Sequence, residues 1–201
     1  MIRQILEARV SLTQIHVNTT ATQSIIKQIY LQLMGDRPRV EWKCVMFHNA
    51  VKPKARFTMW LQLQNRLMTM DRLDKWGMQV DLQCVLCSKH NETRDHLFLH
   101  CEYSLFVWHK IKHWLQLNMF INTNWEQHLR WVVASSKGKT QAAQIFRLAY
   151  AETIYALWIE RNQRVFDKKT RPWSIVAKEI AYMCNVRAPV CIRQYVSQLM
   201  F

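Results

Sequence analysis

The chain contains the run Cys84-Val85-Leu86-Cys87, followed by His96 and Cys101. Three thiols and one imidazole are the ligand set and the ligand number of a closed tetrahedral zinc site. The two residues between the first cysteines allow both sulfurs to reach one ion from a tight turn. Because four protein ligands leave no position for a water or a substrate, we expect a structural zinc rather than a catalytic one.

A second ligand set is compatible with the same stretch. His96 and His100 are four residues apart and share a helical face more naturally than His96 and Cys101 do, which gives the set Cys84, Cys87, His96 and His100. The spacing alone leaves both sets open, together with the interpretation that these are buried thiols without a metal. The other cysteines are widely spaced, and we interpret them as structural thiols: Cys44, Cys184 and Cys191.

The sequence around the cysteines predicts a mainly α protein. Only three glycines and four prolines occur in 201 residues, which disfavours an all-β sandwich with its frequent turns. Apolar and polar residues alternate from Met78 to Cys84, which predicts a short strand. This strand leads into the segment Cys84–Cys87, called the knuckle below. Helical periodicity predicts helices over residues 54–67, 70–76, 97–115 with a break near Ser104, 141–166, and from Pro172 onward.

The order of these segments divides the chain into three predicted regions. Residues 1–35 form an N-terminal helical segment, and residues 36–116 form a small zinc-stabilised helical domain with the strand and knuckle. Residues 117–201 form a basic helical extension packed on that domain. Within the extension, Lys137-Gly138-Lys139 is the best candidate for a flexible connection.

The charge of the chain favours a polyanionic partner. There are 28 Lys and Arg against 14 Asp and Glu, a formal net charge of +14. A field of that sign attracts phosphates without regard to sequence, which suits RNA, DNA or an anionic membrane surface, and charge alone does not choose among these partners. Trp76 and Trp108 could stack on bases. The candidate phosphate contacts are Lys52, Lys54, Arg56 and Arg66, and Arg161, Arg164 and Lys168, which share a helical face.

Longer runs of the chain resemble a known family. They are Pro53-Lys54-Ala55-Arg56-Phe57-Thr58-Met59-Trp60-Leu61, Asn65-Arg66-Leu67-Met68-Thr69, Lys75-Trp76-Gly77, the Cys84–Cys87 knuckle, Asn91-Glu92-Thr93-Arg94-Asp95-His96-Leu97-Phe98, Cys101 and Val107-Trp108. Together they resemble the plant reverse-transcriptase zinc-binding domain, found at the C-terminal end of LINE-type (non-LTR) retrotransposon polyproteins and in stand-alone derivatives. Met68 departs from the family, which commonly has proline there.

The resemblance implies one structural zinc. Its ligands carry over to Cys84, Cys87, His96 and Cys101, which leaves His100 as a neighbour. It also implies a nucleic-acid-binding module, with a scaffold that binds a protein, either the retroelement polymerase or a host complex, as the alternative. A decaying retroelement fragment without a selected role is a further alternative.

Polymerase activity is not expected of this chain. The sequence has no Tyr-x-Asp-Asp and no Asp-Asp pair, whereas two-metal polymerisation needs clustered carboxylates. A Walker glycine loop and a Gly-x-Ser-x-Gly elbow are also absent from the sequence. We therefore expect no catalytic residues, no enzymatic activity and no small-molecule substrate. The aspartates are dispersed: Asp36, Asp71, Asp74, Asp81, Asp95 and Asp167.

The sequence also sets expectations about compartment. The richest apolar stretch, Leu148 to Ile159, contains Glu152 and is too short to cross a bilayer, so we expect no membrane partner. The start of the chain lacks the pattern of a secretory signal. We expect an intracellular protein, with the nucleus favoured by a retroelement origin and the mitochondrion as the alternative.

Overall fold

The structure is a computed structural model, and it describes residues 29, 40–47, 50–117, 124–199 and 201. The chain divides into two compact units, residues 1–40 and 41–201. In the first unit the described residues are Ile29, which is helical, and Val40. The rest of the N-terminal helix that we predict for residues 1–35 lies outside the described residues. The elements below belong to the second unit.

The described residues of the second unit are mainly helical, as the composition predicts. None of the described helices combines the length and the apolar content needed to cross a membrane. The α-helices are α1 (Lys43–Met46), α2 (Pro53–Leu63), α3 (Met70–Lys75), α4 (Glu102–Trp114), α5 (Trp125–Ser136), α6 (Gln141–Asn162), α7 (Trp173–Arg187) and α8 (Val190–Gln198). Two single-turn π-helices, His96–His100 and Gln163–Asp167, interrupt them.

The short strand predicted before the knuckle is not present in the described part of the chain. Residues 78–82 have no regular structure, and one isolated antiparallel bridge joins Gln83 to Asn91. The backbone N–H of Glu92 donates to the carbonyl of Leu82 at 2.7 Å, and that of Cys84 donates to His90 at 2.8 Å. The alternation of polar and apolar residues therefore reflects one side of a tight loop, and no strand among the described residues lies beside it to extend the pairing.

Helix α6 forms the centre of the unit. It buries residues on all its faces, including Phe146, Tyr150 and Ile154, because α2 packs on one side and α7 on another. Helix α4 in turn packs against α7. A helix that is covered all round belongs to the core. The helices of residues 117–201 thus share one core with the helices on either side of the knuckle.

Helix ends differ from the predictions in physically simple ways. α2 stops at Leu63 rather than Leu67, because Asn65 takes a left-handed conformation with φ of 53°. Gly77, with φ of 80°, follows α3 and its left-handed conformation suits a helix end. α7 begins directly after Pro172 as predicted, whereas α5 and α8 are helices that we did not predict. The division into residues 1–35, 36–116 and 117–201 stays a prediction.

Candidate metal centre

The four residues Cys84, Cys87, His96 and Cys101 converge on one point. Their sulfur and nitrogen ligand atoms all lie within 4.8 Å of one another. The Sγ atoms of Cys84 and Cys101 are 3.9 Å apart, and Cys87 Sγ is 3.3 Å from His96 Nε2. Tetrahedral zinc with ordinary bond lengths places two sulfurs about 3.8 Å apart and a sulfur and a nitrogen about 3.6 Å apart. The four side chains therefore fit one tetrahedral ion, and they are positioned to bind it.

Local hydrogen bonds shape the knuckle that carries the first two ligands. The N–H of Ser88 donates to the carbonyl of Cys84 at 2.7 Å, and Ser88 takes a left-handed φ of 53°. The side-chain amide of Gln83 donates to the Ser88 carbonyl at 2.9 Å. These bonds close a tight turn, so Cys84 and Cys87 project to the same side.

The single-turn π-helix His96–His100, called the π-turn below, positions the other two ligands. The N–H of Cys101 donates to the carbonyl of His96 at 2.7 Å, five residues earlier, and the N–H of His96 donates to Thr93 Oγ1 at 3.0 Å. In a regular α-helix the fifth residue lies about 140° round the axis. The wider turn brings Cys101 back over His96, so both side chains face the cluster.

Side chains of α4 support the π-turn. The hydroxyl of Ser104 donates to the carbonyl of Leu97 at 2.6 Å, and the indole N–H of Trp108 donates to the carbonyl of Phe98 at 3.0 Å. Both donors are buried, with Trp108 only 6% exposed. Trp108 is therefore part of the support for the site, whereas Trp76 is 59% exposed, with the Arg72 guanidinium 5.3 Å from its ring centre.

The alternative ligand His100 is not part of the cluster. His100 ends the π-turn and is exposed, and the residue that completes the group of four is Cys101. His90 is also exposed, with its ring centre 5.5 Å from that of His96. The ligand set implied by the family resemblance is the one whose atoms the structure brings together.

A shared hydrogen bond and the surrounding groups shift the pKa values of the two buried thiols in opposite directions. The hydrogen bond with Cys101 and then burial raise the pKa of Cys84 to about 12. The same hydrogen bond, together with the N–H groups of Ser104 and Tyr103, lowers the pKa of Cys101 despite its burial. A thiolate at the N-terminus of a helix is stabilised in this way. A cation at this point favours the thiolate form of both groups.

Arg164, from the second π-turn, contacts the knuckle directly. One terminal nitrogen donates to the carbonyls of Val85 and Leu86 at 3.2 and 3.0 Å, the two residues between the knuckle cysteines. Its Nε pairs with Glu160 Oε1 at 2.8 Å, and its guanidinium lies 4.6 Å from the centre of the Tyr103 ring. Burial opposes ionisation of Glu160, but the Arg171 N–H and the guanidinium groups of Arg164 and Arg171 outweigh it and lower the pKa of Glu160.

A second arginine holds the loop that follows the knuckle. Arg161 donates to both carboxylate oxygens of Glu92, with the shortest contact 2.8 Å from Nη2 to Oε1. Their side chains are 3% and 0% exposed. Glu92 Oε1 also accepts from the N–H of Met70 at the start of α3. Sequence reasoning missed Glu92, because a lone acid in a polar loop gives no sign of a partner 69 residues away.

Residues 25–108 match the family model described as zinc-binding in reverse transcriptase. This segment is a reverse-transcriptase zinc-binding domain. All four residues of the cluster lie inside the domain. The family resemblance found in the sequence is confirmed for this segment. Arg161 and Arg164 lie outside the matched range. A search of the curated proteins and a search of the solved structures found no match to the chain.

The family is named for zinc binding and not for polymerisation. The zinc-binding domain is distinct from the catalytic polymerase domain of a reverse transcriptase, and its four clustered side chains supply one metal site. An ion held by all four has no open coordination position. The chemistry that the arrangement supports is therefore cross-linking of the knuckle to the π-turn.

The predicted phosphate contacts fall into three groups. Lys54, Arg56, Arg66 and Lys168 are exposed. Arg161 and Arg164 are not on the outward basic face that we predicted, because they pair with Glu92 and Glu160 inside the fold. Lys52 is intermediate: its ammonium lies 3.9 Å from Glu152 and 4.2 Å from the centre of the Tyr155 ring.

Proposed function

We propose that this protein is a non-catalytic, zinc-stabilised module that binds nucleic acid through phosphate contacts. The observation that carries the proposal is a zinc-binding domain within a chain of net charge +14, with exposed cations on several elements. A surface with a large excess of positive charge binds polyanions. The proposed origin is the C-terminal region of a LINE-type retrotransposon polyprotein of plant type.

Zinc has a structural role in this proposal. Cys84 and Cys87 come from the knuckle, and His96 and Cys101 come from the π-turn that leads into α4. The ion would fix these two pieces relative to each other and to Arg164, which contacts the knuckle carbonyls. Loss of zinc should therefore loosen the surface that carries the cations, and binding should weaken with it.

Four exposed cations support the phosphate contacts. Lys54 and Arg56 lie in the first two turns of α2, and Arg66 follows that helix. Lys168 lies after the second π-turn. Phosphate contacts from such side chains position a nucleic acid without reading its sequence. We therefore propose binding with little sequence preference, to RNA or to DNA.

The test is salt-dependent binding by the zinc-loaded chain. Binding of a labelled single-stranded RNA should weaken steeply with salt, with log affinity falling linearly in log salt concentration. The double variant Cys87→Ser/His96→Ala should lose zinc and bind less tightly, while Cys191→Ser, an exposed cysteine outside the cluster, should behave as wild type. Absence of RNA and DNA binding by the zinc-loaded wild type would refute the proposal.

A protein-binding scaffold is the second candidate function, and one surface favours it. Helix α7 exposes Ile175, Tyr182 and Val186 at helical spacing, 43%, 66% and 55% exposed. An apolar stripe of this kind suits a partner protein such as the polymerase part of a retroelement or a host complex. Binding through it would change little with salt, which separates it from phosphate contact. A fragment without a selected role predicts neither kind of binding.

The compartment follows from the same proposal. A nucleic-acid-binding module of retrotransposon origin acts inside the cell and meets its partner in the nucleus, with the mitochondrion as the alternative. A fluorescent fusion of the full chain, imaged with nuclear and mitochondrial markers, tests this. Exclusion from both compartments would contradict it.

A further inference from the structure

A pocket of about 690 Å³ lies between α1 and the loop that joins α5 to α6. This volume is large enough to hold a phosphate with its sugar and base. Its walls come from residues 41–47 on one side, and from the loop and the first turns of α6 on the other. Cys44 fixes the first wall to α5, with its Sγ 3.8 Å from the carbonyl of Val133.

The walls carry an excess of positive charge. Lys43, Lys137, Lys139 and Arg147 line the pocket, against the single carboxylate Glu41. The three lysines are exposed, and within the described part of the chain no carboxylate forms an ion pair with them. Several like charges facing one concavity repel one another until an anion enters.

The loop that carries two of the lysines is held in place. Arg147 donates from one terminal nitrogen to the carbonyls of Ser136 and Gly138 at 2.7 and 3.0 Å. Gly138 takes a left-handed φ of 88°, and the side-chain amide of Gln144 donates to the carbonyl of Lys139 at 2.9 Å. The segment that we predicted as a flexible connection therefore forms a hydrogen-bonded turn with a lysine on each side of its glycine.

Two further features of this wall suit an anion. The pocket lies at the N-terminus of α6, a helix of 22 residues whose dipole is positive at this end. Ser136 lines the pocket and is fully buried, and its hydroxyl has no hydrogen-bond partner among the described residues. A buried hydroxyl without a partner is costly, and an anionic oxygen would supply one.

The opposite wall offers an aromatic face. Phe47 lines the pocket and is 57% exposed, and the ammonium of Lys43 lies 5.6 Å from its ring centre. An exposed ring beside cations is the arrangement on which single-stranded bases stack. Bases in a duplex are already stacked on each other and cannot reach such a ring.

We propose that this pocket holds one nucleotide of a single-stranded nucleic acid, with its phosphate toward Lys137, Lys139 and Arg147 and its base against Phe47. The inference rests on the proposed function and assigns it a site. Glu41 opposes the phosphate and limits the affinity. None of these residues is among the phosphate contacts that the sequence predicts.

The experiment measures binding of a labelled single-stranded oligouridylate to the zinc-loaded full chain at about 50 and 200 mM salt. Lys137→Ala/Lys139→Ala should weaken binding about tenfold or more and reduce the steepness of the salt dependence. Phe47→Ala should weaken it about fivefold or more through lost stacking. Glu41→Gln should tighten it about twofold. Circular dichroism and zinc content confirm that each variant is folded.

The charge-matched control is Lys75→Ala/Lys178→Ala, which removes two lysines that do not line the pocket. Equal weakening by the control and by the loop-lysine variant would overturn the pocket while leaving the proposed function in place. Equal effects of Phe47→Ala on single strands and on a duplex of the same length would overturn the stacking contact. Failure of the wild type to bind any nucleic acid would instead refute the proposed function itself.

Discussion

Arg164 donates a hydrogen bond of 3.0 Å to the backbone carbonyl of Leu86, between the two knuckle cysteines, from a position 78 residues further along the chain. The same nitrogen contacts the carbonyl of Val85. Since these carbonyls belong to the turn that projects Cys84 and Cys87, the guanidinium fixes the geometry of two metal ligands. Arg164 lies outside the family match, so the extension contributes to the zinc site of the domain.

Replacing Arg164 should therefore weaken zinc binding. Removing such support for metal ligands typically costs about 10- to 100-fold in metal affinity, and we expect Arg164→Ala to fall in that range. Competition with a chromogenic zinc chelator measures it. Arg193→Ala, an exposed arginine on α8, is the matched control. Unchanged zinc affinity in Arg164→Ala would show that the knuckle holds its geometry unaided.

Replacing Glu92 should destabilise the fold. Glu92→Gln keeps an oxygen for the N–H of Met70 but leaves the buried Arg161 cation without its counter-charge. Breaking a buried pair from one side costs about 3–5 kcal/mol in the free energy of unfolding. Urea denaturation of the zinc-loaded chain measures this. Glu102→Gln, which removes an exposed pair with Lys89, should change the free energy of unfolding much less.

The choice between Cys101 and His100 as the fourth ligand can be tested directly. Cys101→Ser should lower zinc affinity strongly, whereas His100→Ala should leave the zinc content at one per chain. Cobalt substitution adds a second readout, because the sulfur-to-metal charge-transfer band should correspond to three thiolates in the wild type and in His100→Ala. The opposite pattern would assign the ligand to His100 and contradict the geometry of the π-turn.

The buried His128 should make folding stability fall in mild acid. Burial first, then the charges of Lys112 and Arg94, lower the pKa of His128 from 6.5 to about 3. The unfolded chain therefore binds a proton below about pH 6.5 that the folded chain does not. The contribution of His128 is full above pH 6.5 and is lost as the pH falls toward 3, by up to about 1.4 kcal/mol per pH unit.

Comparison with His128→Gln isolates this effect from the other acid-sensitive groups. Unfolding free energies of both proteins, measured with saturating zinc between pH 7.5 and pH 5, should converge as the pH falls. The variant starts lower, because it loses the contacts of the ring with Trp108, Trp125 and Tyr150. Parallel curves would mean that His128 takes up its proton over the same pH range in the folded and unfolded chains.

The sequence predicts the helical class and the zinc chemistry well, because both depend on local patterns. Cys84 and Cys87 are close in sequence, and the periodicity around Phe146 and Ile154 marks the central helix. The predicted strand is wrong because Met78–Cys84 has an alternating pattern, whereas the part of the chain that the structure describes offers no neighbouring strand to pair with it. An alternating sequence does not by itself provide a second strand to pair with.

The roles of the arginines could not be read from the sequence for a related reason. Arg161, Arg164 and Lys168 have the same spacing as an exposed basic face, and only the packing of α6 against the knuckle decides which side they point to. Glu92 and Glu160 neutralise two of these charges from distant or inward positions. A count of surface charge from sequence therefore overstates the cations that a partner can reach.

The π-turn from His96 to His100 makes the metal site sensitive to chain length. Its i to i+5 hydrogen bond encloses one residue more than the i to i+4 bond of a regular α-helix, and the bonds from Ser104 and Trp108 support this wider turn. Deleting any one of Leu97, Phe98 or Leu99 would restore an ordinary helix and rotate α4 relative to the ion. The number of residues between His96 and Cys101 therefore sets the orientation of α4. A single-residue deletion in this segment would misalign the whole of α4 with the core.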